Sequence, residues 1–294
     1  MPLLLLDLDN TLLPRDAAFQ AWAAGFLGEF GLPPGDVGWL TVMDGGGYVP
    51  RSTVLGATRR RYGLDLSLDS LLTHYRRGMN SHISCPGDHL RALRAARAAG
   101  WTIAIVSNGG TTAQVAKIRR TGLGSLVDAW VVSEEAGCAK PDPLIFETAA
   151  QRCGIDLATD WTADTWVIGD HAPADIAGAA AAGLRSVWLH HGRPWSEQAY
   201  RPTHSAATLP EAVALVLAEG AAVPAAAAAA PNDAQRKRKG KGSAQAAGAA
   251  RQAEKAGQWA EGAEEVGGPA PVPLERLAGR DSPAAAAAIA VTVG

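Results

Sequence analysis

Leu3–Leu6 is an unbroken apolar run that leads directly into Asp7-Leu8-Asp9-Asn10-Thr11. Such a run has no polar face to offer water, so it reads as a strand of a parallel sheet covered on both sides. Ligands of open parallel sheets bind beyond the carboxyl ends of the strands. Two carboxylates emerging there, two residues apart, make a cation site beside a candidate nucleophile.

Four more short apolar segments alternate with helix-like sequence. Trp101–Val106 follows Asp88–Ala99, Ala129–Val132 follows Thr112–Thr121, Thr165–Ile168 follows Pro143–Cys153, and Ser186–Leu189 follows Asp175–Ala182. Gly100 and Gly183 stand where two of those helices should stop. Strands alternating with helices imply βαβ units, hence an α/β fold with a Rossmann-like parallel sheet. Residues 1–14 and 85–220 are expected to form this catalytic core.

Residues 15–84 read as wholly helical. Phe19, Trp22, Phe26 and Phe30 recur at three- and four-residue spacing and define one apolar face. Leu55, Thr58 and Tyr62 mark a second helix, and Leu68, Leu71, Leu72 and Tyr75 a third. A helical insert placed directly after the first strand overhangs the strand ends. Asp44-Gly45-Gly46-Gly47 reads as a turn between its helices, and Arg59-Arg60-Arg61 as a solvated face. Residues 221–294 are dominated by Ala, Gly and Pro with few large apolar side chains, and are expected to be a disordered tail. Its basic cluster Arg236, Lys237, Arg238 and Lys239 reads as solvated charge rather than as a nucleic-acid surface.

Composition narrows the function classes. A net charge of −2 with 47% hydrophobic and 19% charged residues demands neither nucleic acid nor an anionic membrane as partner. Cys85, Cys138 and Cys153 form no CxxC pair, which argues against a zinc cluster or a disulfide framework and fits a cytoplasmic protein. Leu3–Leu6 is too short for a signal peptide, and no uncharged apolar stretch of about 18 residues is present, so no membrane partner is expected.

Three further signatures fall at expected strand ends: Ser107-Asn108-Gly109, Lys140-Pro141-Asp142-Pro143, and Gly169-Asp170 followed by Asp175. Alone, each fits a turn, a helix start or a helix cap. Together with Asp7 and Asp9 they compose Asp-x-Asp-x-Thr, Ser-Asn, Lys-Pro and Gly-Asp-x4-Asp, in that order. This set resembles the haloacid dehalogenase-like hydrolase superfamily, and the insert resembles its class-one helical cap. The likeness covers about residues 1–220 and points to the phosphatases of that group, acting on a small-molecule phosphate ester.

The resemblance implies strand order 5-4-1-2-3 with Asp7 on the central strand. It also implies Mg2+ held by Asp7, Asp170 and the Asp9 backbone carbonyl, with Asp175 orienting the metal shell. Asp7 is then the nucleophile that forms an aspartyl-phosphate, and Asp9 the general acid and base. Lys140 neutralises the Asp7–phosphate pair, while Thr11, Ser107 and Asn108 join it in binding phosphate. A phosphomutase or a haloacid dehalogenase of the same superfamily, or a non-catalytic binding module on this fold, are the alternatives. A dehalogenase can dispense with Asp9 and Mg2+ because halide leaves without a proton. A phosphonate-cleaving enzyme needs a cap lysine, and residues 15–84 contain none.

Overall fold

The computed structural model describes residues 1–228. Leu3–Leu6 forms β1, and all four leucines are fully buried. Leu4 and Leu6 point into one apolar cluster and Leu3 and Leu5 into another, so both sheet faces are covered. Burial of each such leucine contributes about 1.5–3 kcal/mol.

The remaining strands are β2 (Thr102–Ser107), β3 (Ala129–Val132), β4 (Thr165–Gly169), β5 (Arg185–Leu189) and β6 (His204–Ala206). All pair in parallel, in the order β3-β2-β1-β4-β5-β6. The expected order 5-4-1-2-3 therefore needs correction: a sixth strand lies outside β5. With three residues and one of them exposed, His204–Ala206 has neither the length nor the apolar content to announce a strand. Its ladder with β5 supplies what the local sequence lacks. In the register of β1, Leu6 faces Ile105 on one side and Ile168 on the other. Asp7, Ser107 and Asp170 therefore leave the sheet along one edge.

Five helices connect β1 to β2, and the first four form the insert: α1 (Arg15–Glu29), α2 (Val37–Asp44), α3 (Arg51–Tyr62) and α4 (Leu68–His82). Phe19, Trp22 and Phe26 of the aromatic stripe are buried. Trp22 meets Tyr75 of α4 edge-on at 5.0 Å and donates to His74 Nδ1 at 3.1 Å. Gly78 is what lets α4 approach, because a Cβ there would collide with the Trp22 indole. The stripe is core, and its cluster is continuous with Leu4 and Leu6 of the sheet. Arg59, Arg60 and Arg61 are all exposed as expected, and Arg61 also pairs with Asp36 and lies over Trp39.

Helices α5 (Gly87–Ala98), α6 (Thr111–Arg120), α7 (Ser133–Ala136), α8 (Pro143–Arg152), α9 (Ala177–Ala181) and α10 (Leu209–Ala228) complete the helices among the described residues. The helix expected over Asp175–Ala182 is instead a wide turn, Ala172–Ile176, followed by the short α9. The distortion has a cause: Asp175 folds back so that Oδ2 accepts from the His171 backbone N–H at 3.0 Å. The expected boundary at residue 220 falls inside α10, where alanine, the strongest helix former, carries the helix on. The rest of the expected tail, with Arg236 to Lys239, lies outside the described residues. Among the described residues no helix is long and apolar enough to cross a membrane, and all three cysteines are free.

Candidate active site

Asp7 follows β1 directly, and its N–H donates to Ile168 O of the neighbouring strand at 3.0 Å. The chain then turns sharply through Asn10, which adopts φ 60°, a left-handed conformation that Asn tolerates better than most residues. The turn is pinned from both sides. Asn10 Oδ1 accepts from the Asp16 N–H at 3.0 Å, and Asn10 O is 2.7 Å from His191 Nε2.

Lys140 sits at the centre of the cluster and is only 6% exposed. Its ammonium donates to Asp7 Oδ1 at 2.6 Å and to Val106 O at 2.7 Å, and lies 2.7 Å from Asp175 Oδ1. The last contact is an ion pair off the angle of a directed hydrogen bond, since Asp175 Oδ1 has no hydrogen-bond partner. Burial disfavours the ammonium, yet Asp175 and Asp7 outweigh it and hold the Lys140 pKa above its ordinary value. Asn108 fixes this lysine's backbone reciprocally: Nδ2 donates to Lys140 O and Oδ1 accepts from the Lys140 N–H, both at 2.9 Å. The Asn108 side chain is thereby committed, leaving its backbone amide as the group that could meet a phosphoryl oxygen.

Asp7, Asp170 and Asp175 each bring a carboxylate oxygen within 4.8 Å of the others. Burial and the negative charge of Asp175 push Asp7 up to about 7 against the pull of Lys140. Burial with Asp7 and Asp175 pushes Asp170 up to about 8. Three hard oxygen donors crowded against their own repulsion suit Mg2+, and the buried Asp175 Oδ1, which accepts no hydrogen bond, supports the same reading. Gly169 is required beside them, because a Cβ there would collide with the Asp175 carboxylate.

Asp9 has a separate environment. Lys117 Nζ donates to both its oxygens at 2.8 and 2.6 Å, and Gln114 Nε2 to Oδ2 at 3.1 Å. Burial alone would raise this carboxyl, but Lys117 and Gln114 prevail and bring it below its ordinary value. Gln114 Nε2 also reaches Ser107 Oγ at 2.7 Å, tying the expected phosphate-binding hydroxyl to the expected acid.

A cavity of about 200 Å³ opens over these groups. Its floor includes Asp7, Asp9, Ser107, Asn108, Lys140 and Asp170, and its roof Gly46, Gly47 and Tyr48. Thr11 is not on its wall; the hydroxyl is buried without a partner. Asp44 does not reach it either, being 1% exposed and bound by Arg15 and Arg51 beneath the glycine loop. Tyr48 overhangs the carboxylates. Burial together with Asp7, Asp175, Asp170 and Asp9 keeps its hydroxyl pKa well above the usual value. Its ring stacks on His171, with centroids 4.0 Å apart and planes 23° apart.

Lys117 and Gln114 escaped the sequence reading. Their three-residue spacing on the helix after the Ser-Asn turn is the signal that could have found them. Arg193 and Trp188 escaped too. Arg193 donates to Asp170 O at 2.8 Å and Oδ2 at 3.2 Å, and Trp188 Nε1 to Asp170 O at 2.9 Å. His190 and His191 do not converge as ligands: His190 Nδ1 accepts from the Gly192 N–H, while His191 contacts Asn10 O.

A parallel sheet carrying an acidic cluster and a buried lysine at its strand ends, under a helical cap, defines a class of α/β hydrolase. The haloacid dehalogenase-like hydrolase family matches residues 1–183, and the chain belongs to it. Among curated relatives it is 34% identical over 109 residues to the pyrimidine 5'-nucleotidase YjjG of Escherichia coli, covering 37% of this chain and 47% of that protein. It is also 34% identical over 108 residues to a phosphoserine phosphatase of Thermus thermophilus, covering 36% and 41% of the two chains. The matched stretches thus span less than half the length of these relatives. The magnesium-bound HAD-hydrolase YfnB of Bacillus subtilis shares the fold, with a TM-score of 0.61, 23% identity, and coverage of 73% of this chain and 98% of that one. The chain is an enzyme of this family, with an aspartate cluster able to coordinate a divalent metal.

Proposed function

We propose that this chain is a cytoplasmic Mg2+-dependent phosphatase that hydrolyses a small-molecule phosphate monoester through an aspartyl-phosphate on Asp7. Residues 1–14 and 85–220 supply the chemistry and residues 15–84 form the cap. One observation carries the reading: Asp7 and Asp9, two residues apart, have different cationic partners, Lys140 and Lys117. Two carboxylates in distinct environments suit two roles, nucleophile and acid–base. Displacing halide from carbon needs only the first.

Asp7 and Asp170, with the Asp9 carbonyl, would hold Mg2+, and Asp175 would orient that shell. When bound, the ion supplies positive charge that offsets the phosphoryl oxygens. Lys140 favours the ionised form of Asp7 against the effect of burial and orients it. Ser107 Oγ and the Asn108 backbone amide hold phosphoryl oxygens while an Asp7 oxygen attacks phosphorus. The phosphorus–ester oxygen bond breaks, and the protonated form of Asp9, which pairing with Lys117 makes the minor one, delivers a proton to the departing alkoxide. Asp9, now a carboxylate, takes a proton from the water that attacks the phospho-aspartate, releasing phosphate and restoring Asp7.

Phosphate release from a panel of metabolite esters, with Mg2+ and with excess chelator, tests the reading. Mg2+-dependent release supports it. Turnover that survives chelation, halide release from 2-haloacids, or phosphoryl transfer within the substrate without free phosphate would overturn it in favour of a dehalogenase or mutase.

A further inference from the structure

The charge inventory around the cavity bears on which ester fits. Its described lining holds three carboxylates, Asp7, Asp9 and Asp170, against one cation, Lys140. The other cations nearby are outside that lining and are themselves engaged with carboxylates. Lys117 binds Asp9, Arg193 contacts Asp170, and Arg15 and Arg51 share Asp44. A phosphoryl dianion would find Lys140 and the bound cation. A second anionic group on the same substrate would face Asp9 and Asp170 with no cation left to pair, in a partly desolvated space where like charges repel strongly.

The roof adds a shape requirement. Gly46 and Gly47 offer only backbone, so Tyr48 is the one side chain the cap contributes to the described lining. Its ring is stacked on His171, and the residue is still 57% exposed. A ring on the leaving group could extend that stack, since aromatic pairs gain beyond simple area burial.

Resting on the phosphatase reading, we infer that the preferred substrate is a phosphate monoester whose leaving group is uncharged and carries a ring that packs on Tyr48, and that the site rejects a second anionic group. The test compares kcat/KM for benzyl phosphate, propyl phosphate and phosphoglycolate, with Mg2+, in the wild type, Tyr48→Phe and Tyr48→Leu. In the wild type, benzyl phosphate should exceed propyl phosphate by about tenfold, as one stacked ring allows. Propyl phosphate should exceed phosphoglycolate by a similar or larger factor. The benzyl-to-propyl ratio should persist in Tyr48→Phe and fall towards one in Tyr48→Leu. Phosphoglycolate turned over as well as propyl phosphate, or a ratio unchanged in Tyr48→Leu, would overturn the inference and leave the phosphatase reading standing. Failure to hydrolyse all three and a simple aryl phosphate would remove that reading, and this inference with it.

Discussion

Lys117 Nζ lies 2.6 Å from Asp9 Oδ2 and 2.8 Å from Oδ1, bridging residues 108 positions apart in the chain. The pair favours the carboxylate form of Asp9, the form needed to draw a proton from water in the second step. Removing the cation should raise the Asp9 pKa. In Lys117→Met the pH below which phospho-enzyme hydrolysis slows should therefore move upward, and Lys117→Arg should restore most of the original profile. A kcat–pH profile for the three proteins checks this. An unmoved acidic limb would mean that Lys117 is only structural.

Asp7 and Asp9 should fail differently. Asp7→Asn removes the nucleophile, so no covalent intermediate should form and turnover should vanish. Asp9→Asn should slow alkyl esters by about 10²–10⁴-fold, the usual worth of general acid–base catalysis, and aryl esters less. Rapid quench with labelled aryl phosphate should trap phospho-Asp7 in Asp9→Asn. Full alkyl-ester turnover in that variant would contradict the role given to Asp9.

Asp44 should matter for stability rather than chemistry. Arg15 is 3% exposed and Arg51 partly buried, and both converge on this one carboxylate. Asp44→Asn leaves the buried Arg15 guanidinium with only the half-exposed Asp16 as counterion, a change that costs up to about 3–5 kcal/mol. Urea unfolding should register a loss of that order. A loss below about 1 kcal/mol would show that the loop under Gly45–Gly47 holds itself without the network.

Metal binding should release protons. With Asp7 near 7 and Asp170 near 8, protons compete for the same oxygens below those values, so Mg2+ affinity should rise as pH climbs from 6 to 9. The sign for stability runs the other way. Both carboxyls bind protons more tightly folded than at their ordinary value of 3.8, so the chelated protein should lose stability as pH rises from about 4 to about 8. Mg2+ should then raise Tm more at pH 8 than at pH 6. Calorimetry in buffers of different ionisation enthalpy, with thermal melts, reads both effects, and a pH-independent affinity would contradict them.

Much of this protein was legible as local pattern. A buried parallel strand must be apolar on both faces, so Leu3–Leu6 declared β1 and located Asp7 at its end. The alternation of short apolar runs with helical segments placed β2 to β5, and the spacing of Phe19, Trp22 and Phe26 marked the buried side of α1. These features follow from periodicities of two and 3.6 that any short window displays. Tertiary structure alone decided the rest. β6 exists because β5 offers a free ladder edge, and the turn at Ala172–Ile176 departs from a regular helix because Asp175 must reach back to His171 and Lys140. Asp44 reads in sequence as part of a turn between helices, and only the convergence of Arg15 and Arg51 makes it a buried anchor. Which lysine serves Asp7 and which serves Asp9 is set by where α6 and the Lys140 loop pack against the sheet. Electrostatic partnership falls off with distance in space and carries no periodic trace along the chain.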